Sequence, residues 1–258
     1  MRRFQYFTLV LLSFFLASCN GAEVGSIPSI EPTRQDTTTL SPSAAAVSSP
    51  DEFQVSGYEF PGSIDPGKRY MFYLHGKIIE DQGIPAISPE FGEYRYEDIL
   101  AALKGFGFVI ISEQRPKDAD AWEFAQRTAA QVDKLLLESV PPGSITVVGA
   151  SKGAAIAALA SSLVDNPDVN YVLLGTCHPA LVEEWEQGGL WLNGNVLAIY
   201  DFADTEYSGS CEELFRLSEG RGINRHDEIL LQLGTGHGIL YEPLPEWVLP
   251  TVQWANQK

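Results

Sequence analysis

Ser151 stands in a segment whose residue order would make a serine hydroxyl available for attack on a carbonyl group. The apolar, β-branched run 145–148 is followed by Gly-Ala-Ser-Lys-Gly at 149–153, and then by an Ala- and Leu-rich stretch with high helix propensity. This order predicts a strand, a tight turn and a helix, with the serine on the turn. The small residues around Ser151 leave room for the strained backbone of such a turn. The alternative is a glycine-rich turn that only caps the helix.

A histidine is the base that a nucleophilic serine requires, because the hydroxyl must lose its proton as it attacks. His237 directly follows the last predicted strand and lies between two glycines, which let the backbone approach closely. We therefore predict His237 as the base. His178 follows an earlier predicted strand and is the reserve candidate. His226 is predicted to precede its strand, which would place it at the opposite end of the sheet.

The base in turn needs a carboxylate that orients its ring. Two aspartates, Asp201 and Asp204, follow the strand predicted at 196–200. Asp204 is preferred, because the carboxylate must project from a loop a few residues beyond the strand to reach an imidazole. Asp201 lies at the strand end and is predicted to order the turn.

Strands and helices that alternate from residue 69 onward would position these side chains. Strands are predicted at 69–74, 106–112, 145–148, 171–174, 196–200 and 229–233, with an edge strand at 55–60, and helices at 96–104, 121–138, from 154, at 211–217 and at 244–256. The strands are continuous apolar runs, as in parallel sheets that are covered on both faces. The predicted fold class is therefore α/β, with a doubly wound, mostly parallel sheet.

The ligand site of such a sheet lies at the carboxyl ends of its strands. Four polar candidates follow strands there: His75, Ser151, Asp204 and His237. Loops predicted at 78–95, 113–120 and 178–194 would form the pocket walls. Their aromatic residues could line a pocket, although a core or surface position is favoured for each: Phe91, Tyr94, Trp185 and Trp191.

Residues 69–258 resemble the α/β-hydrolase fold family. The resemblance rests on four segments: Leu74-His75-Gly76, Gly149-Ala150-Ser151-Lys152-Gly153, residues 199–204, and Gly236-His237-Gly238. It implies hydrolysis of an ester, thioester or amide through an acyl-enzyme, with Ser151, Asp204 and His237 as the catalytic triad in the order usual for the family.

The resemblance also implies an oxyanion hole made by two backbone N–H groups. One belongs to Lys152, the residue after the serine, and the other to Lys77, with Gly76 as the alternative. His75 matches the family's structural His-Gly, so that His75 and Gly76 are expected to shape this loop without transferring protons. The chain lacks a Gly-Gly-Gly stretch and any segment long enough for a large cap domain, which argues against long-chain lipase activity.

The side chain of Lys152 is an unusual feature beside a nucleophile. A cation there could favour substrates that carry a carboxylate, or it could pair with a protein carboxylate such as Glu113. A solvent-facing side chain or a structural ion pair is the favoured interpretation. Testing whether Lys152→Met changes the preference between anionic and neutral esters separates these possibilities.

Cys177 and Cys211 follow neighbouring predicted strands and are candidates for a disulfide, with two buried thiols as the alternative. The chain has no C-x-x-C and no H-E-x-x-H spacing, so that neither a metal nor another cofactor is expected.

The first residues have the character of an export signal. Arg2 and Arg3 precede a short apolar stretch that ends in Leu-Ala-Ser-Cys at 16–19, which resembles a bacterial lipobox. This resemblance implies a lipoprotein signal peptide at 1–18, lipidation of Cys19 and localisation in the bacterial cell envelope, facing the periplasm or the exterior. An ordinary secretory signal is the alternative. Residues 19–50, rich in Ser, Thr and Pro, are predicted to form a disordered tether before a hydrolase domain at 51–258.

Charge and composition limit the partners. The net charge of −17 argues against nucleic acid and against a basic membrane-binding face. The expected partners are a small acyl substrate and, through the lipid anchor, a membrane. The predicted function is a serine esterase; the alternatives are a non-catalytic binding lipoprotein of the same fold, or a peptidase or carbon–carbon hydrolase with the same triad.

Overall fold

The structure is a computed structural model that describes residues 57–257. The predicted signal peptide, the lipidated Cys19, the tether and residues 51–56 lie outside the described residues. Within the described residues, no helix is both long enough and apolar enough to cross a membrane.

Six parallel strands form the central sheet, in the order β4-β1-β5-β6-β7-β8. A separate antiparallel pair is formed by β2 and β3. The strands are β1 (Arg69–Leu74), β2 (Ala86–Ser88), β3 (Gly92–Tyr94), β4 (Phe108–Ile111), β5 (Ile145–Ala150), β6 (Asn170–Leu174), β7 (Gly194–Asp201) and β8 (Ile223–Leu231).

The order of the strands creates one point at which the winding direction reverses. The chain passes from β1 to β4 at one edge, returns to the other side of β1 as β5, and continues to β8 at the opposite edge. The crevice at the carboxyl ends of β1 and β5 is therefore the switch point at which open parallel sheets bind ligands. Gly76 follows β1 at this point and Ser151 follows β5. The predicted doubly wound, mostly parallel α/β class is confirmed.

Helices cover both faces of the sheet. They are α1 (Lys77–Gln82), α2 (Tyr96–Gly105), α3 (Ala121–Leu137), α4 (Lys152–Leu163), α5 (Pro179–Gly188), α6 (Glu212–Ser218) and α7 (Pro245–Trp254). Helices α3 to α6 share one hydrophobic core with the sheet, and α1, α2 and α7 share the other. Successive residues of β1 alternate between the two cores, since neighbouring side chains of a strand point to opposite faces.

Three sequence predictions about the elements are wrong. Residues 57–60 of the predicted edge strand are not a strand, although the carbonyl of Tyr58 accepts a hydrogen bond from the Ser112 N–H. The loop predicted at 78–95 contains α1, β2 and β3, and the loop predicted at 178–194 contains α5. Helix α1 has only six residues and is capped at its C-terminal end by Gly83, which has a φ of 80°. An element this short shows no readable periodicity.

The last strand begins at Ile223, six residues before the predicted start at 229. Its first half is polar and partly exposed, because β8 lies at the edge of the sheet and pairs only with β7. An edge strand does not need the continuous apolar run that reveals a central strand, which explains the missed residues.

Candidate active site

Ser151 occupies the sharp turn between β5 and α4. Its φ is 54° and its ψ is −119°, a conformation that is strained for any residue other than glycine. A Cβ atom on Gly149 would lie 2.1 Å from the carbonyl oxygen of Gly153, and one on Gly153 would lie 1.9 Å from that of Leu74. The turn therefore requires glycine at both positions, and it packs Gly153 against the carbonyl oxygen of Leu74 at the end of β1.

Ser151, His237 and Asp204 form a continuous chain of hydrogen bonds. Nε2 of His237 lies 2.9 Å from Oγ of Ser151, and Nδ1 of His237 lies 2.6 Å from Oδ2 of Asp204. A carboxylate can only accept, so Nδ1 carries the proton and Nε2 is free to accept the serine proton. The structure thus brings together the three side chains that the sequence singled out, from the ends of β5, β7 and β8.

Asp204 is held in its ionised form. Burial raises the pKa of its carboxyl, but the hydrogen bond from His237, the charge of that ring and the hydrogen bonds from Ser208 and the Tyr207 N–H together lower it more, so that the pKa lies below the usual value for aspartate. Oδ1 also accepts a hydrogen bond of 3.3 Å from the Tyr207 N–H. The carboxylate is consequently oriented by its own loop as well as by the histidine.

Asp201 has a different task from Asp204. Its two oxygens accept hydrogen bonds from the N–H groups of four residues, namely Ala203, Leu233, Gly234 and Gly236. Its side chain is therefore the tie between the loop after β7 and the loop that carries His237. The position of Asp201 at the end of a strand indicates that it orders the turn, but it does not indicate the contact with a loop 32 residues later.

His75 is fully buried below the loop that follows β1 and does not contact Ser151. Its Nδ1 donates to the carbonyl oxygen of Gly76 at 2.8 Å, and its Nε2 accepts from the Arg115 N–H at 2.9 Å. Burial, followed by the charge of Arg115, holds the pKa of His75 well below the usual value for histidine. His75 is thus a neutral ring that shapes the loop.

Gly76 brings this loop against the nucleophile: a Cβ atom there would lie 3.6 Å from Cβ of Ser151. Lys77 and Lys152 are the first residues of α1 and α4. The first N–H groups of a helix have no acceptor within the helix, so both amides are available to an oxygen bound beside Ser151. The roles of Lys77 and Lys152 as oxyanion donors remain predictions.

The ammonium group of Lys152 is turned into the protein. Nζ donates to Oε2 of Glu80 at 2.5 Å and to the carbonyl oxygen of Ala119 at 2.6 Å. The suggested partner Glu113 is wrong, because its carboxylate accepts from Arg127 at 2.8 Å instead. Glu80 was not predicted as the partner of Lys152, because α1 was predicted as a loop.

The other two histidines do not reach Ser151. His178 caps the N-terminal end of α5, where its Nδ1 accepts from the Ala180 N–H at 3.3 Å. His226 lies within β8 and stacks on Phe215 with ring centroids 4.7 Å apart, so the prediction that it precedes the strand is wrong.

Two of the four aromatic candidates lie near the hydrogen-bonded side chains of Ser151, His237 and Asp204. A Cβ atom on Gly238, the residue after His237, would lie 3.0 Å from Phe91, and Tyr94 contacts the Gly76 position. Trp185 is a core residue, and Trp191 is an exposed residue that precedes β7, at the other end of the sheet. The favoured core or surface position therefore applies to the two tryptophans, and also to Tyr94, which is buried in the core that α1, α2 and α7 share with the sheet. Tyr207, which was not singled out, lies 4.9 Å from the His237 ring.

Cys177 and Cys211 form a disulfide, and both are buried. The Gly209 N–H donates to the carbonyl of Thr176 at 2.9 Å, and Ser208 forms a β-bridge with Cys177. The loop that begins with Asp204 is thereby attached to the end of β6. In the described part of the chain, no group of three or more His, Cys, Asp or Glu side chains is arranged to hold a metal ion.

Comparison with known proteins gives matches to solved structures alone; no protein-family model and no curated protein matches the chain. An esterase from the archaeon Pyrobaculum calidifontis is 20% identical, covering 73% of this chain and 76% of its own, with a TM-score of 0.44. The Pyrococcus furiosus esterase Pf2001 is 14% identical, covering 74% and 83%, with a TM-score of 0.48. A YdeN-like hydrolase from Pectobacterium atrosepticum is 12% identical, covering 73% and 91%, with a TM-score of 0.46.

The chain's own strand order and the turn at Ser151 identify the fold, since none of these scores reaches 0.5. A parallel sheet covered on both faces carries the serine on a strand-turn-helix corner at its switch point, as in an α/β-hydrolase fold. No insertion between residues 57 and 257 is large enough for a cap domain. The predicted α/β-hydrolase fold without a large cap is confirmed.

Proposed function

We propose that this protein is a serine hydrolase that cleaves small esters, or thioesters or amides, through an acyl-enzyme. The observation that carries the proposal is the unbroken hydrogen-bond chain from Ser151 through His237 to Asp204 at the switch point of the sheet. Metal-free acyl transfer needs a nucleophile, a base and an orienting carboxylate within hydrogen-bond reach of one another, and these three side chains meet that requirement.

The mechanism follows from the direction of each hydrogen bond. Oγ of Ser151 attacks the substrate carbonyl carbon as its proton moves to Nε2 of His237, and Asp204 stabilises the imidazolium. The N–H groups of Lys77 and Lys152 bind the oxyanion of the tetrahedral intermediate. His237 then gives the proton to the leaving alcohol, thiol or amine. Water deacylates the enzyme by the same steps, with Nε2 again accepting the proton.

The surroundings of the triad favour a small acyl group. Tyr241 packs against both Phe91 and Tyr94, with ring centroids 5.2 and 5.0 Å apart, next to Gly76 and Gly238. Burial raises the pKa of Tyr94 to about 12, so its hydroxyl stays neutral. These rings restrict the space beside the nucleophile, and the described residues add no cap that would cover a long chain.

The proposal is tested by a fluorophosphonate probe followed by peptide mapping. We expect a single adduct on Ser151, no adduct on the Ser151→Ala variant, and faster hydrolysis of p-nitrophenyl acetate and butyrate than of the octanoate and palmitate. Heat-denatured protein is the control for non-specific labelling. A parent protein that is neither labelled nor active on any ester would contradict the proposal and favour the non-catalytic binding lipoprotein.

We further propose that the enzyme is anchored in the bacterial cell envelope through lipidated Cys19. The support is the charged, apolar and Leu-Ala-Ser-Cys order of residues 2–19. In the producing bacterium we expect the parent protein in the membrane fraction, with a mass that fits an acylated chain starting at Cys19, because two or more acyl chains suffice for stable anchoring. Cys19→Ser should abolish the lipid mass, with Cys177→Ser as the control that retains it. A soluble parent without lipid would refute the anchor.

A further inference from the structure

Three charged side chains are packed together behind the proposed oxyanion hole. The exposed fraction of the side chain is 0% for Glu80, 1% for Arg115 and 19% for Lys152. Charged groups are rarely buried to this extent unless they are paired, because each loses its hydration. The triad chemistry described above does not use any of these three side chains, so their burial needs another explanation.

The carboxylate of Glu80 joins the other two groups. Oε1 accepts from Nε of Arg115 at 2.7 Å, and Oε2 accepts from Nζ of Lys152 at 2.5 Å. Arg115 continues the network, because its Nη2 donates to the carbonyl of His75 and its backbone N–H donates to Nε2 of the same residue. Lys152 also donates to the carbonyl of Ala119, in the loop after β4.

This network connects the two proposed oxyanion donors. Lys152 is held by its own side chain, and Lys77 lies three residues before Glu80, on the same helix. With six residues, α1 cannot be stable by itself, so its position depends on contacts with the rest of the protein. The bonds to Glu80 are charged contacts that link α1 with α4, whose first residue is Lys152.

We propose that Glu80 is a positioning residue: through Lys152 and Arg115, its carboxylate holds the Lys77 and Lys152 amides at the separation that the oxyanion requires. This inference rests on the proposed serine hydrolase function. It replaces substrate steering by Lys152, since Nζ already has two acceptors in the interior.

The charges of the network favour an oxyanion even with Glu80 ionised, so the loss expected when its carboxylate is removed comes from geometry and not from charge. Arg115 and Lys152 are two cations against the single carboxylate of Glu80, and the nearby His75 is neutral because burial and Arg115 lower its pKa. Nη1 of Arg115 is buried and has no hydrogen-bond partner among the described residues. A net positive charge thus lies behind the amides that would face the oxyanion, where a low dielectric strengthens its attraction.

The test compares Glu80→Gln with the matched control Asp81→Asn, the next residue of α1. Asp81 forms an exposed ion pair with Lys77, and such pairs contribute little. We expect Glu80→Gln to lower kcat/KM for p-nitrophenyl acetate by about 10–100-fold, since displacement of a reacting group by about 1 Å costs on the order of 10² in rate. Asp81→Asn should stay within about twofold of the parent.

Two further measurements separate positioning from damage to the fold. All rates are expressed per site titrated with the fluorophosphonate, so that unfolded protein does not count. Affinity for phenylboronic acid, whose tetrahedral adduct with serine places an oxygen in the oxyanion hole, should fall by the same factor as kcat/KM. In a double-mutant cycle, adding Lys152→Met to Glu80→Gln should cost much less than Lys152→Met alone, because both changes break one network.

Parent-like kcat/KM per titrated site in Glu80→Gln would overturn the inference. So would additive effects of Glu80→Gln and Lys152→Met, or unchanged boronic acid affinity alongside reduced turnover. If the parent reacts with the fluorophosphonate at Ser151 but the variants give one of these results, the positioning role of Glu80 is refuted and the proposed hydrolase function is not. If the parent does not react at all, the proposed function itself fails.

Discussion

The Asp204→Asn variant is expected to retain the parent's fold and to lose about 10⁴-fold in kcat, close to 5.5 kcal/mol of barrier. The geometry explains why the amide is a poor substitute. Oδ1 of Asp204 accepts from the Tyr207 N–H, and Oδ2 faces Nδ1 of His237. An asparagine keeps its carbonyl oxygen on the Tyr207 N–H and therefore presents its NH₂ group to the histidine. Nδ1 must then accept, the ring proton moves to Nε2, and the ring can no longer take the serine proton.

Asp201→Asn is the matched control, because it makes the same chemical change three residues away. The four backbone N–H groups that point at Asp201 would meet an NH₂ group on one side, leaving up to two of them without an acceptor. Each unsatisfied buried group costs about 1–3 kcal/mol of stability. We expect Asp201→Asn to lower the free energy of unfolding clearly, whereas Asp204→Asn mainly lowers kcat.

Chemical denaturation and ester turnover per fluorophosphonate-titrated site distinguish the two aspartates. Activity within about tenfold of the parent in Asp204→Asn would show that this carboxylate does not orient the base. Asp204→Glu provides a further comparison, since it keeps the charge but lengthens the side chain within a loop fixed by the Tyr207 N–H.

The dependence of the free energy of unfolding on acid pH gives a second, independent test of Asp204. The pKa of Asp204 is lowered in the folded protein, so the stability that its ionised form contributes is present above the pKa of the unfolded chain. That contribution is lost as the pH falls through the lower, folded value. We therefore expect the contribution of Asp204 to the free energy of unfolding, measured as the difference between the parent and Asp204→Asn, to stay constant near neutral pH and to disappear only at acid pH.

The positions of the three side chains in the proposed triad were predictable, because strand ends determine where they lie. Ser151 follows the central strand β5 and His237 follows the apolar end of the edge strand β8, and the carboxyl ends of parallel strands meet at one edge of the sheet. The choice of Asp204 over Asp201 followed from the reach of a carboxylate, a local property of the loop after β7. The nearest strand and the number of residues beyond it are enough to predict each of these positions.

Contacts between distant segments were not predictable. Glu80 lies 72 residues before its partner Lys152 and 35 before Arg115, and its helix is too short for periodicity to show. The hydrogen bonds of Asp201 to residues 233–236 likewise depend on how two loops meet. The sequence pattern reports which face of an element is apolar, but not which buried charge finds which partner. For that reason Glu113 was the natural but incorrect partner for Lys152.

Replacing both Cys177 and Cys211 by serine is expected to lower the free energy of unfolding by about 3–4 kcal/mol, because the bridge closes a long loop in the unfolded chain. The two residues are 34 apart in sequence. For a domain of this size, the change corresponds to a fall of about 6–16 °C in Tm. Cys19→Ser should be included in all proteins compared, so that no third thiol reacts.

Activity at low temperature should change little, because the loop that begins with Asp204 keeps other attachments. The Gly209 N–H still reaches the carbonyl of Thr176, and Oγ of Ser208 still donates to the carbonyl of Asp204. A constraint that acts mainly on the unfolded chain leaves the native geometry of the site in place. We therefore expect kcat at 15 °C within about twofold of the parent, with inactivation at a lower temperature.

Reducing agent provides the internal control for this prediction. It should lower the Tm of the protein with both cysteines to that of the double serine variant, and it should leave the Tm of the variant unchanged. Without reductant, thiol titration should find no free thiol in the protein with both cysteines. Loss of turnover at 15 °C in proportion to the loss of stability would instead show that the disulfide holds Asp204 in place in the folded state. In that outcome the bridge would help to position the carboxylate that orients His237, and reduction of the S–S bond would lower turnover in the folded protein.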